Sequence, residues 1–85
     1  MRLVFADQAW EDYLHWQQED PQKVEKIHVM TKDIRRDPFK GLGKPEPLKG
    51  ALTSYWSRRI NDEHRMVYKV AGGDLLIVQL RYQCS

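Results

Sequence analysis

One cysteine, Cys84, is all the chain has, so no intramolecular disulfide can staple the fold. Histidine is scarce too: His15, His28 and His64 stand too far apart along the chain to form a metal-ligand motif, and no metal or other cofactor is expected. No apolar run approaches the roughly 20 residues that a bilayer span requires. The first residues lack the basic, apolar and small-residue order of a secretion signal, so a cytoplasmic location without a membrane partner is expected. With 41% hydrophobic and 31% charged residues, the composition is that of a globular chain rather than a disordered one. Its 85 residues suffice for one domain, 1–85, with one modest core.

What is present is a basic excess confined to one half. Residues 1–43 carry seven Lys/Arg against eight Asp/Glu, whereas residues 44–85 carry seven against four. A concentrated basic face attracts phosphates and speeds encounter with polyanions, so the second half is where a nucleic-acid partner is expected.

The short apolar run Arg2-Leu-Val-Phe-Ala6 reads as a strand, and Asp7 is placed to cap a following helix. In that helix Trp10, Tyr13, Leu14 and Trp16 follow helical spacing, and Glu11 and Asp12 sit where negative charge complements the helix dipole. Asp20-Pro21 restarts the chain as cap and first helical residue. Val24, Ile27, Met30 or Val29, and Ile34 form an apolar stripe that ends before Asp37-Pro38. Residues 38–50 hold three prolines and three glycines and read as an ordered, irregular loop. Three β-rich runs follow, separated by Asn61-Asp62-Glu63 and Ala71-Gly72-Gly73-Asp74. The expected fold is α+β, in the order β-α-α-β-β-β, with an antiparallel twisted sheet covered on one face by two helices.

Strand side chains alternate between faces. Even positions (Trp56, Ile60, Met66, Tyr68, Val70, Leu76, Val78, Leu80, Tyr82) give a core face, with Arg58 and His64 as polar exceptions. Odd positions gather Tyr55, Ser57, Arg59, Arg65, Val67, Lys69, Ile77, Gln79, Arg81 and Gln83: four cations, an aromatic platform and no acid. Phosphates need fixed cations and bases need flat surfaces, so this face suits single-stranded RNA, although a plain solvated face has the same look.

More specific are Arg36-Asp37-Pro38-Phe39, Gly41-Leu42-Gly43-Lys44-Pro45-Glu46-Pro47-Leu48-Lys49, Tyr55-Trp56-Ser57-Arg58-Arg59-Ile60 and Glu63-His64-Arg65-Met66-Val67-Tyr68. With these motifs the chain resembles the YoeB toxins of the RelE/ParE superfamily, from Trp10 to Tyr82. The resemblance implies a RelE/ParE-like, microbial-ribonuclease-like fold. It also implies an endoribonuclease that cuts mRNA in the ribosomal A site and is silenced by a YefM-like antitoxin, with a homodimer or toxin–antitoxin heteromer as the assembly. The implied chemistry is attack of a ribose 2′-hydroxyl on the adjacent phosphate. Carried over by position, Glu46 is the general base, Arg65 stabilises the phosphorane, and Arg59 and Lys49 hold the RNA. Tyr55 and Arg81 on the odd-numbered face, together with Lys44 and Tyr82, are further candidates for RNA contact. For Arg59 a hairpin ion pair with Asp62 or Glu63 is the competing reading.

The C-terminus departs from the family's His-Tyr ending, having Gln83-Cys84 instead. Gln83 occupies the general-acid position and Cys84 that of an RNA-stacking tyrosine. A glutamine amide donates a hydrogen bond but has no proton to give near neutral pH, so cleavage is expected to weaken by about 10²- to 10⁴-fold. A catalytically inactive ribosome-binding or antitoxin-titrating protein of the same fold is the alternative.

Overall fold

The computed structural model describes residues 1–50 and 54–82. The elements run β1 (Arg2–Phe5), α1 (Asp7–Glu19), α2 (Pro21–Arg36), β2 (Glu46–Pro47), β3 (Trp56–Arg59), β4 (Arg65–Ala71) and β5 (Asp74–Gln79). The α+β class and the order of the helices agree with the sequence reading. Two details of the sheet differ. Its strand order is β1-β5-β4-β3-β2, and β1 runs parallel to β5, so the sheet is mixed rather than antiparallel throughout. The segment read as irregular loop contributes an edge strand, β2, paired with β3. Pro45 and Pro47 cannot donate to a ladder, which suits an edge and would not suit the sheet interior.

Local chemistry explains the helices. Asp20 accepts the Gln22 N–H at 3.2 Å and Pro21 takes the first helical position, so α2 starts where expected. Val24, Ile27, Met30 and Ile34 are its buried residues, while Val29 is exposed. At α1 the capping residue is Ala6, in extended conformation; Asp7 lies in the first turn, where its charge still complements the dipole. The buried stripe of α1 is Ala9, Asp12 and Trp16, not the Trp10–Leu14 side, both of which are exposed. Asp12 is therefore a core carboxylate: it accepts the Leu80 N–H at 3.0 Å and the Gln8 amide at 2.9 Å. Trp16 donates its indole N–H to the Leu80 carbonyl at 3.0 Å, so α1 holds both backbone groups of Leu80.

Among the described residues no helix is long and apolar enough to cross a membrane. The core fills between the helices and one sheet face, where Phe5, Ile77, Tyr68 and Trp56 lie in one cross-strand row. That row corrects the parity reading. Between β4 and β5 the pairing jumps from Val67↔Gln79 to Tyr68↔Ile77, so Val78 is an extra residue and the faces of β5 swap. Leu75 and Ile77 consequently enter the core, and Leu76, opposite Lys69, joins the open face. Gly72 and Gly73, both at positive φ, close the β4–β5 hairpin as a two-residue turn.

Candidate nucleic-acid interface

On the face away from the helices, Glu46, Ser57, Val67 and Gln79 form a row across four strands. At the usual strand spacing this row spans about 14 Å. Glu46 enters it because β2 pairs Glu46 with Ser57, and backbone bonds on either side fix the strand. The Arg59 N–H donates to the Gly43 carbonyl at 2.6 Å, and the Leu48 N–H to the Tyr55 carbonyl at 2.9 Å. Gly43 is required there: it sits at φ +78, and a Cβ on it would lie 2.8 Å from the Arg59 carbonyl oxygen.

Arg65, at the start of β4, reaches Glu46 with an Nη1–Oε1 distance of 2.8 Å, and the same Nη1 donates to the Ser57 hydroxyl at 2.9 Å. The side chain of Glu46 is 57% exposed and that of Arg65 is 21% exposed. The carboxylate thus faces solvent while the guanidinium is held from beneath. Sequence reasoning brought Glu46 and Arg65 to one face but gave Ser57 no part in the site. Its signal was its place among the odd positions, two residues before Arg59 on the same face of the strand.

Arg58 governs how the 37–43 segment leads into Glu46. It is completely buried and donates five hydrogen bonds: to Asp33 at 2.6 Å, to the Asp37, Lys40 and Leu42 carbonyls at 2.7, 3.0 and 3.2 Å, and to the Tyr68 hydroxyl at 3.1 Å. The Tyr68 hydroxyl in turn donates to the Pro38 carbonyl at 2.6 Å. Asp33 is held far below the ordinary carboxylate range by the Leu42 N–H and by Arg36 and Arg58. Arg58, an anomaly on the core face by parity, is the internal tie of the loop.

Arg59 pairs with Asp62 at 2.7 Å across the hairpin, the competing arrangement anticipated for it, and the fully solvated position of Asp62 makes the pair a weak one. Lys44, at φ +53, lines a cleft of about 300 Å³ with Lys26, Arg59 and Asn61. Lys49 is exposed. Tyr55 is half-buried, with the Lys69 ammonium 5.2 Å from its ring centroid. At the far end Arg81 lies 4.9 Å from the Tyr82 ring and donates to its hydroxyl at 2.9 Å. Tyr82 is 58% exposed rather than part of the core face, and its carbonyl accepts the Arg65 N–H at 3.1 Å. Gln83 and Cys84 lie outside the described residues. Among the described residues, no group of three or more His, Cys, Asp and Glu could hold a metal ion.

A two-helix, mixed-sheet α+β fold of RelE type, with an acid–arginine pair on its open sheet face, defines the class. The model of the "YoeB-like toxin of bacterial type II toxin-antitoxin system" family matches residues 5–84. "Toxin YoeB" of Streptomyces coelicolor is 56% identical over 82 residues, 96% of this chain and 98% of the relative. The solved "YoeB/ParE toxin from Agrobacterium tumefaciens" superposes with a TM-score of 0.96 at 49% identity, covering 99% of this chain and 100% of that one. The toxin of the "heterotetrameric complex of YoeB-YefM toxin-antitoxin from Staphylococcus aureus" superposes with a TM-score of 0.90 at 45% identity, covering 99% and 98%. The chain belongs to the YoeB-like toxin family of bacterial type II toxin–antitoxin systems.

Proposed function

We propose that this toxin is a ribosome-dependent endoribonuclease that cuts mRNA in the A site, and that a YefM-like antitoxin covers the same face, as the relative's complex with YefM suggests. The observation that carries the reading is the Glu46–Arg65 contact at 2.8 Å on an open basic surface. Glu46 removes the proton of a ribose 2′-hydroxyl, and that oxygen attacks the neighbouring phosphorus. Arg65 exchanges its half-exposed carboxylate partner for the phosphate oxygens and stabilises the phosphorane as charge builds. Ser57 keeps the guanidinium in place during this exchange. Arg59, released from its weak pair with Asp62, joins Lys44 and Lys49 on flanking phosphates, while Tyr55 and Tyr82 receive bases.

The 5′-oxygen then departs, leaving a 2′,3′-cyclic phosphate. Gln83 supplies a hydrogen bond but no proton, so water protonates the leaving oxygen and turnover is slow. Cys84 offers a thiol where the family has a stacking ring. The ribosome contributes orientation, which accounts for cleavage without a complete acid–base pair. Cytoplasmic action follows from the ribosomal target. A non-cutting protein of the same fold is the second reading, favoured by Gln83 alone.

Cut ends mapped on a defined mRNA in programmed ribosomes decide the matter. The chain itself should give few ends, Gln83→His/Cys84→Tyr many, and adding Glu46→Ala should abolish them. Absence of new ends from the double variant would overturn the ribonuclease reading.

A further inference from the structure

We propose that His64 is a positioning residue for this site: its Nδ1 docks Tyr82 beside Arg65, so that the Tyr82 ring stands as a base-stacking platform, and a proton on Nδ1 undocks it. The inference rests on the open sheet face being an RNA surface and names the group that sets one end of it.

The geometry begins where β5 ends. Asp12 and Trp16 fix both backbone groups of Leu80, and two residues later both backbone groups of Tyr82 are also held. The Tyr82 N–H donates to His64 Nδ1 at 2.8 Å, and the Tyr82 carbonyl accepts the Arg65 N–H at 3.1 Å. Tyr82 has φ +61, a left-handed conformation unfavourable for a residue with a side chain, and these two bonds hold its backbone there while Arg81 contacts its ring and hydroxyl. The outcome is an exposed aromatic ring anchored to the same Arg65 whose guanidinium meets Glu46.

His64 is suited to the task. It is 8% exposed, and its ring lies edge-on to Trp16 at 4.8 Å and 5.4 Å from the Tyr82 ring. Acceptance at Nδ1 requires the neutral tautomer protonated at Nε2, whereas the imidazolium has two donors and no acceptor. A protonated His64 therefore turns an N–H toward the Tyr82 N–H. Burial above all holds this histidine below its ordinary range. Lys23 of α2, Arg81, and His15 of α1 act in the same direction, and Glu63 acts against them. At neutral pH the docked state is kept, and it is lost on the acid side.

The test is binding of a labelled single-stranded RNA, with a 2′-O-methyl group at each position to prevent cleavage, at about pH 7.5 and about pH 5, on either side of the histidine range. His64→Ala should weaken binding at both pH values by about fivefold to a hundredfold, the worth of one base–aromatic stack. His64→Asn, whose amide oxygen replaces Nδ1 as acceptor, should recover most of that loss and should not share the parent's relative weakening at the lower pH. A purely structural histidine would make the asparagine variant as weak as the alanine one, and that outcome, or identical pH profiles for parent and asparagine variant, overturns the proposal. Exchange of the Tyr82 amide, followed by NMR without RNA, should be slow in the parent and in His64→Asn near neutral pH and fast in His64→Ala. Slow exchange in His64→Ala overturns the docking. Slow exchange in the parent without RNA binding supports the docking and overturns the platform role, whereas the ribonuclease reading stands or falls on the cut ends in programmed ribosomes.

Discussion

Replacing Arg58 by methionine removes a buried guanidinium and keeps a side chain of similar length, so the loss falls mainly on what the guanidinium satisfies. Those partners are Asp33, the Tyr68 hydroxyl and the carbonyls of Asp37, Lys40 and Leu42. Removing one member of a buried, hydrogen-bonded charge pair costs about 3–5 kcal/mol, because the remaining groups have been taken out of water and lose their partner. For an 85-residue protein of ordinary stability, roughly 4–13 kcal/mol in total, that is a large share. At about 4–8 °C per kcal/mol, the melting temperature should fall by at least roughly 12 °C. Urea denaturation should show a lower midpoint with little change in slope. Arg59→Met is the comparison, since it gives up an exposed pair worth no more than about 1 kcal/mol. If Arg58→Met costs as little as Arg59→Met, Arg58 is not the internal tie of the loop before Glu46.

Gly43→Ala should destabilise by more than about 1 kcal/mol in urea, because positive φ and the nearby Arg59 carbonyl act together. Gly72→Ala, which meets only the conformational term, should cost less; equal losses would show that the close approach does not matter. Acid should lower the urea midpoint in two windows. His64 binds its proton less readily folded than unfolded, so the stability it contributes is complete above about pH 6.5 and is lost as pH falls through the lower, folded value. Asp33 likewise contributes fully above about pH 3.9, the ordinary carboxylate value, and loses its contribution as pH falls further. His64→Asn should flatten the upper window and Asp33→Asn the lower, and unchanged slopes would refute those assignments.

Much of the molecule was legible along the chain because its causes are local. Asp20-Pro21 starts α2 where they stand, the 3.6-residue period of Val24, Ile27, Met30 and Ile34 fixes its buried face, and Gly72-Gly73 closes the last hairpin. The Lys-Pro-Glu-Pro motif and Arg65 stand out in the sequence alone, and the open face brings Glu46 and Arg65 to 2.8 Å from each other. Tertiary structure decided what local pattern cannot encode. One extra residue, Val78, reverses the faces of β5, since strand register depends on the partner strand. Asp12 and Arg58 are buried because Leu80 and the 37–42 segment supply hydrogen bonds that only the folded chain brings to them. Desolvating a charge is tolerable only where such partners converge, and that convergence is a property of the packed fold.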